Sequence, residues 1–269
     1  MTGDLRTHTA DTREAKASKL RELHKAGQPL VLANIWDAAS AWLAETAGFG
    51  AVATSSGAVA ESLGHADHEG APAEEMFAAT SRITASVSVP VTMDAESGYQ
   101  LPADLFVERL LATGAVGCNL EDTDHRSGRL VDIPEQAAWL AEVRAAASAA
   151  GVGLVINARI DVFLRAYANS GKPDERALLP GALRRAEAYL DAGADCVYPI
   201  LVRQADTIER FVAGVGHRPV NIAYLREGLN PAELGALGVA RVSLGTGLWR
   251  ANQAWLTDRL AALAAGEGL

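Results

Sequence analysis

One feature constrains this chain above all others. Eight short apolar runs alternate with Ala- and Leu-rich amphipathic stretches, the pattern that repeated β-α units leave around a parallel sheet. The runs are Leu30–Trp36, Ala51–Ser55, Pro90–Asp94, Gly117–Glu121, Gly153–Ala158, Cys196–Ile200, Pro219–Ala223 and Ala240–Gly245. The spacing predicts helices over Ala38–Ala47, Ala73–Ser86, Pro102–Thr113, Pro134–Ala150, Pro180–Ala192, Gln204–Ala213, Pro231–Leu237 and Leu248–Ala265. An additional amphipathic helix, Thr12–Ala26, precedes the first strand. Pro102, Pro134, Pro180 and Pro231 fall where first-turn prolines belong, and Gly48, Gly114, Gly151 and Gly193 fall just past helix ends.

The segments AETAGFGAV, LLATGAVGC and LDAGADCV repeat one device: a helix end, a glycine cap and the start of the next strand. No linker or change of composition divides the 269 residues, a length that suits one barrel of roughly 250. The expectation is a single (β/α)8 TIM barrel over 1–269, with 1–28 as an N-terminal extension and helix and 248–269 as a C-terminal helix. A doubly wound open sheet is the alternative. Its Gly-rich phosphate loop is missing after the first strand, where the chain reads Ala33-Asn34-Ile35-Trp36-Asp37-Ala38.

Charge narrows the partners. With 24 Lys+Arg against 33 Asp+Glu, the net charge of -9 would repel a phosphate backbone, so nucleic acid is not expected. The first 28 residues hold no apolar signal core, and no apolar run approaches the ~20 residues of a membrane helix, so a cytoplasmic protein without membrane contact is expected. Cys118 and Cys196 lie inside apolar runs and read as small buried thiols.

Barrel enzymes place their chemistry where strands end. Here those ends read Thr54-Ser55-Ser56-Gly57, Asp94-Ala95-Glu96, Glu121-Asp122 and Asn157-Ala158-Arg159-Ile160-Asp161. Acids crowded on one rim raise each other's pKa unless a cation compensates, and such hard oxygen donors suit Mg²⁺ or Mn²⁺. Asp94 and Glu96, two apart on one strand, would face the same side. The plainer reading is that each acid caps a helix or pairs with a neighbour. Arg159 could take an anionic oxygen pair, or pair with Asp161 or Glu121. Ser56 and Gly57 could offer N–H groups and a hydroxyl to a carboxylate, or form a simple turn. Lys172, next to Gly171 and Pro173, reads as an exposed loop lysine rather than a Schiff-base former.

Four stretches, AETAGFGAVATSSGAVAESLGHAD (44–67), PVTMDAESGY (90–99), GAVGCNLED (114–122) and INARIDVF (156–163), together resemble the isocitrate lyase and phosphoenolpyruvate mutase superfamily. The resemblance implies a β/α barrel whose last helix is exchanged between subunits of a homodimer or a homotetramer built as a dimer of dimers. It implies Mg²⁺ at the barrel mouth, held directly or through water by Asp94, Glu96 and Glu121. Ser56, Gly57 and Ala58 would meet the substrate carboxylate, Arg159 an anionic oxygen, and Asp67 would lie near the metal. The shared chemistry is handling of a 2-oxo or 2-hydroxy acid through a stabilised enolate.

The chain departs from that pattern in two places. After Glu121, lyase members carry a Cys-Gly-His loop with lysines, and mutases a Lys and an Asn; this chain reads Asp122-Thr123-Asp124-His125-Arg126-Ser127-Gly128-Arg129. Arg126 and Arg129 could replace the positive charge, and His125 is either the loop's one group suited to proton transfer near neutrality or an exposed loop histidine. At the seventh strand Asn221-Ile222-Ala223-Tyr224 lacks the hydroxyl and acid that bind a far carboxylate in lyases, leaving Asn221 as a substrate contact and implying a smaller or differently ended substrate. His65 and His68, between Gly64 and Gly70, could reach the mouth on a lid, or face solvent in a glycine-bounded loop.

The expected catalytic set is therefore Asp67, Glu121, His125 and Arg159, with Ser56, Gly57, Ala58, Asp94, Arg159 and Asn221 as substrate contacts. The leading expectation is a Mg²⁺-dependent lyase acting on a small 2-oxo or 2-hydroxy carboxylate, by carbon–carbon cleavage or by decarboxylation or hydrolysis of an oxaloacetate-like acid through a metal-stabilised enolate. Chemistry at a carbon–phosphorus bond and a non-catalytic 2-oxo acid binding protein are the alternatives. Trp249 and Trp255 on the last helix are candidate interface anchors.

Overall fold

The computed structural model describes residues 12–267, so the outer part of the expected N-terminal extension, 1–11, and the last two residues lie outside the described residues. Helix α1 (Arg13–Glu22) is capped by the Thr12 hydroxyl, which accepts from the Ala15 N–H at 3.2 Å. There follow β1 (Leu30–Ile35), α2 (Ala38–Thr46), β2 (Val52–Thr54), α3 (Ser56–Ser62), α4 (Ala73–Ser86), β3 (Val91–Asp94), α5 (Ala103–Ala112) and β4 (Gly117–Glu121). A short antiparallel hairpin, β5 (Thr123–Asp124) and β6 (Arg129–Leu130), precedes α6 (Ile133–Ala149), β7 (Val155–Ile160), α7 (Val162–Ser170) and α8 (Glu175–Asp191). The chain ends with β8 (Cys196–Pro199), α9 (Ala205–Gly214), β9 (Asn221–Ala223), α10 (Pro231–Ala236), β10 (Arg241–Ser243) and α11 (Gly247–Ala264).

All eight expected apolar runs become parallel strands, in the order β8-β7-β4-β3-β2-β1-β10-β9. A bridge between Val197 and Val220 draws the two ends together, so the sheet is a nearly closed (β/α)8 TIM barrel. Helices α4, α5, α6, α8 and α9 bury Ile83, Phe106, Leu110, Val143, Tyr189 and Phe211 against it. Helix α1 covers the N-terminal end: Leu20 is fully buried beside Gly117, and Arg21 reaches Asp195 at 2.8 Å and the Gly153 carbonyl at 2.7 Å.

The local expectations need three corrections. Helix α8 begins at Glu175, five residues before Pro180, which therefore sits inside the helix rather than in its first turn. The earlier start is held by the Asp174 cap and by Glu175, whose fully buried carboxylate accepts from the N–H groups of Arg203 and Gln204 at 2.8 and 3.0 Å. Those bonds outweigh the single helical hydrogen bond that proline forfeits. Helices α3 and α7, read as strand-end loops in the sequence, form directly after β2 and β7. The fifth strand runs two residues further than expected, which puts Arg159 within it.

The barrel interior is partly polar. Asn119 Oδ1 accepts from Asn157 Nδ2 at 2.8 Å and from Arg241 Nη2 at 2.9 Å, and all three residues are buried. Cys118 and Cys196 are buried free thiols, and burial pushes both up to about 12, so they are inert packing groups. No helix among the described residues is long and apolar enough to cross a membrane. Helix α11 buries none of its residues. Its first turn is tied down by Trp249, whose Nε1 donates to Glu61 at 2.6 Å and whose ring meets Trp36, but Trp255 is 61% exposed and Leu260 56%.

Candidate active site

A cavity of about 880 Å³ opens at the C-terminal ends of the strands. Ser56, Asp67, His68, Asp94, Glu96, Glu121 and Arg159 all line it. Strand β3 delivers Asp94, β4 delivers Glu121 and β7 delivers Arg159, because each strand carries its polar residue where its apolar run stops.

Asp94 is held firmly. Its Oδ2 accepts from the Ser56 N–H at 3.1 Å and the Ser56 hydroxyl at 3.0 Å, and its own N–H donates to Thr54 Oγ1 at 2.8 Å. Glu96 is not on the strand with Asp94, as two-residue spacing had implied. It lies one turn later with φ of 51°, a left-handed conformation unusual for a residue with a Cβ, and reaches the cavity from there. Its Oε2 accepts from the Glu69 N–H, while its buried Oε1 has no partner. Burial pushes Glu96 up to about 8; the Glu69 N–H opposes that, and the charges of Asp94, Asp67 and Glu121 add to it.

Glu121 is flanked on both oxygens: Arg159 Nη1 pairs with Oε2, and His125 Nε2 lies 2.6 Å from Oε1. Burial raises the Glu121 carboxyl and Arg159 opposes it. Arg159 also forks onto Asp161, with Nε to Oδ1 at 2.7 Å and Nη2 to Oδ2 at 3.1 Å, so it pairs with both acids that its sequence setting offered. Two guanidinium hydrogens remain for a ligand.

His125 corrects its expected setting. With 11% side-chain exposure it is no solvent-facing loop residue, yet it does not line the cavity: it stands behind Glu121, its ring 5.3 Å from that of His68. Burial disfavours its charged form, but pairing with Glu121 and the charges of Glu121, Glu69 and Glu96 outweigh burial and raise its pKa. Arg126 and Arg129 are exposed on the hairpin and do not line the cavity, so they are not placed to supply its charge. His68 lines the cavity, whereas His65 faces Glu75 at 3.2 Å.

Other expected contacts are redistributed. Ser56, Gly57 and Ala58 form the first turn of α3, and of the three only Ser56 lines the cavity. Ala58 is fully buried with its N–H directed at the Ser55 hydroxyl. Gly57 allows close approach instead: a Cβ there would stand 2.7 Å from Asp67 Oδ2. Asn221 does not reach the cavity, since it is buried in the barrel and donates to Ser243 Oγ at 3.0 Å. Asp122 leaves the rim altogether, its buried carboxylate accepting from Arg185, the Tyr189 hydroxyl and the Asp161 N–H.

Sequence reasoning missed Glu69, which holds Glu96, and Tyr198, hidden within an apolar strand. No periodicity marks either. Among the described residues no three His, Cys, Asp or Glu side chains converge on one point as a ready-made metal cage. The acids line one wall of the cavity, and the unpartnered Glu96 oxygen leaves hard donor capacity unused. That donor chemistry fits Mg²⁺, which ordinarily takes few protein carboxylates and keeps several waters.

A β/α barrel with an acid-walled cavity and an embedded arginine at its strand ends defines a class of small-molecule enzymes. The chain belongs to the phosphoenolpyruvate phosphomutase family, whose profile matches residues 20–264, within the superfamily of lyases and mutases that also holds isocitrate lyase. A Burkholderia cenocepacia structure provisionally described as a phosphonomutase superposes with a TM-score of 0.87 at 39% identity, covering 95% of this chain and 100% of that one. An uncharacterised Mycobacterium tuberculosis protein is 32% identical over 226 residues, 84% of this chain and 81% of its own. The 2-methylisocitrate lyase of Escherichia coli is 30% identical over 198 residues, 70% of this chain and 62% of the lyase.

Proposed function

We propose that this protein is a Mg²⁺- or Mn²⁺-dependent lyase acting on a small 2-oxo or 2-hydroxy carboxylate, by carbon–carbon cleavage or by decarboxylation or hydrolysis of an oxaloacetate-like acid. The observation that carries this reading is the two-signed cavity. A wall of Asp67, Asp94, Glu96 and Glu121 faces the same space as a buried arginine. Asp94, Glu96 and Glu121 would hold the metal directly or through water. Bound there, it would supply positive charge beside a substrate oxygen that becomes negative.

The chain's own groups do the rest. Arg159, fixed by Asp161, presents its free edge to an anionic oxygen. Glu121 lines the cavity with His125 at its back, so a proton held between His125 Nε2 and Glu121 Oε1 sets the charge that Glu121 presents to the cavity. Asp67 closes the wall beside Ser56 and Gly57. The exposed face of α11, with Trp255, Leu260 and Leu263, is where chains would associate into a homodimer or homotetramer.

The second reading, chemistry at a carbon–phosphorus bond, is favoured by the 39% identity with the Burkholderia protein. One experiment separates the two. Proton and phosphorus NMR would follow a panel of 2-oxo acids, 2-hydroxy diacids, oxaloacetate and phosphonopyruvate with Mg²⁺ and then with chelator. Metal-dependent loss of a carbon acid supports the lyase; loss of phosphonopyruvate alone replaces it with the second reading. Survival of every compound counts against both.

A further inference from the structure

The cavity has two unlike halves, and the second is unused by the chemistry above. Beyond Arg159, whose register partner is Tyr198 of β8, the wall continues through Leu164 of α7, Ile200 and Leu201 just past β8, Leu225 after β9 and Leu244 after β10. Ala223 and Tyr224 continue the same surface. Two arginines, Arg226 and Arg250, also border this half, but both are exposed to solvent. An anion paired with them would sit in high dielectric and gain little.

Leu201 is an independent pointer. It adopts φ of 63°, the left-handed region that residues with a Cβ avoid, and it does so at the cavity wall. Strain of this kind persists where the surrounding structure over-determines it, and it clusters at ligand sites. Size agrees as well. A cavity of about 880 Å³ lies near the top of the roughly 300–1,000 Å³ range for ligands of drug size, far more than a three-carbon acid fills.

We propose that the substrate carries a branched-alkyl or aryl group at the end remote from its carboxylate, seated between Tyr198, Leu201 and Leu225. The inference rests on the 2-oxo acid reading of the acidic half and adds the chemical class of the other end. A wall whose buried part is apolar rewards apolar area, and its two arginines lie in solvent and give a second carboxylate no buried partner, so the tail and not a second acid group sets specificity.

The test is calorimetric titration of the full chain with Mg²⁺ and four probes: pyruvate, 4-methyl-2-oxopentanoate, phenylpyruvate and 2-oxoglutarate. Pyruvate is expected to bind in a Mg²⁺-dependent way, the two apolar-tailed acids at least ~10-fold more tightly, and 2-oxoglutarate no better than pyruvate. Leu201→Asn keeps a residue that tolerates the left-handed backbone while removing the apolar side chain, and Leu225→Lys places a cation on the same wall. Each should erase most of the gain from an apolar tail and leave pyruvate unchanged. Pyruvate binding with no gain from either apolar tail overturns the tail subsite alone, as does 2-oxoglutarate binding as tightly as phenylpyruvate. Absence of Mg²⁺-dependent binding by all four overturns the 2-oxo acid reading and the inference with it.

Discussion

His125 Nε2 stands 2.6 Å from Glu121 Oε1, and the other carboxylate oxygen of Glu121 pairs with Arg159. An imidazole that does not itself line the cavity is thereby coupled to a carboxylate that does. In the proposed mechanism Glu121 is the cavity-facing member of this pair and His125 the group that sets its charge.

His125→Gln should therefore lower kcat by about 10²-fold or more while leaving KM and the Mg²⁺ affinity near wild type. Because pairing with Glu121 raises the His125 pKa, the wild-type pH–rate profile should break above the ordinary histidine range, and the variant should lose that limb. A variant with an unchanged profile would reduce His125 to a packing residue.

Asp94→Asn tests the proposed metal-holding role of the acidic wall. Ser56 anchors this side chain through two hydrogen bonds, so the amide should fold in place. In the wild type, Mg²⁺ at a hundred times its Kd should stabilise the chain by about 2.7 kcal/mol, read as several degrees in Tm. That gain should vanish in Asp94→Asn, while circular dichroism stays native. An equal Tm gain in both proteins would remove Asp94 from the metal site.

Gly57→Ala probes close packing rather than charge. The added methyl would stand 2.7 Å from Asp67 Oδ2 and 3.1 Å from the Thr246 methyl, so Asp67 must move. Turnover should drop by roughly 10- to 100-fold with little loss of stability, since displacement of a site residue by a fraction of an ångström is costly to rate. Thermal melts and kcat measured on the same preparation check both halves.

Asp122→Ala should behave in the opposite manner. Its buried carboxylate accepts from Arg185 at 3.0 Å, the Tyr189 hydroxyl at 2.8 Å and the Asp161 N–H at 2.9 Å. Removing it strands a mostly buried cation and should cost about 3–5 kcal/mol by denaturant unfolding. The fraction that remains folded should still bind Mg²⁺.

Stability in the absence of divalent metal should depend on pH with a definite sign. Burial pushes Glu96 up to about 8 from an ordinary value near 4.5, so in that window the folded chain keeps a proton the unfolded chain has released. Stability then falls as pH rises, by up to about 1.4 kcal/mol per unit from this group. Glu121, also raised by burial, and His125, raised by its acidic neighbours, contribute in the same direction above their ordinary pKa values. His24, lowered by burial to about 4, acts oppositely but only between that value and about 6.5. In EDTA, Tm should decline by a few degrees between pH 6.5 and 8; Glu96→Gln should flatten the decline, and Mg²⁺ should restore more stability at pH 8 than at pH 6.5. A Tm that rises over this range in EDTA would contradict the assignment.

Much of this molecule is legible in one dimension. Largely apolar runs such as Gly117–Glu121, broken only by the interior Asn119, place strands and their polar last residues, because burial on both faces of a parallel strand favours apolar side chains up to the barrel rim. That periodicity is local, so it identified the barrel and put Asp94, Glu121 and Arg159 at one end of it. What the tertiary structure alone decided is which polar residues share a space. Asp122, beside Glu121 in the chain, points the other way onto Arg185 and Tyr189; Asn221, at a strand start, stays in the interior with Ser243. Glu96 reaches the cavity through a left-handed turn anchored by Glu69, and His125 reaches Glu121 through a hairpin. These outcomes depend on hydrogen bonds and charge pairs between residues far apart in sequence or on single backbone angles, and neither leaves a period for a sequence to display.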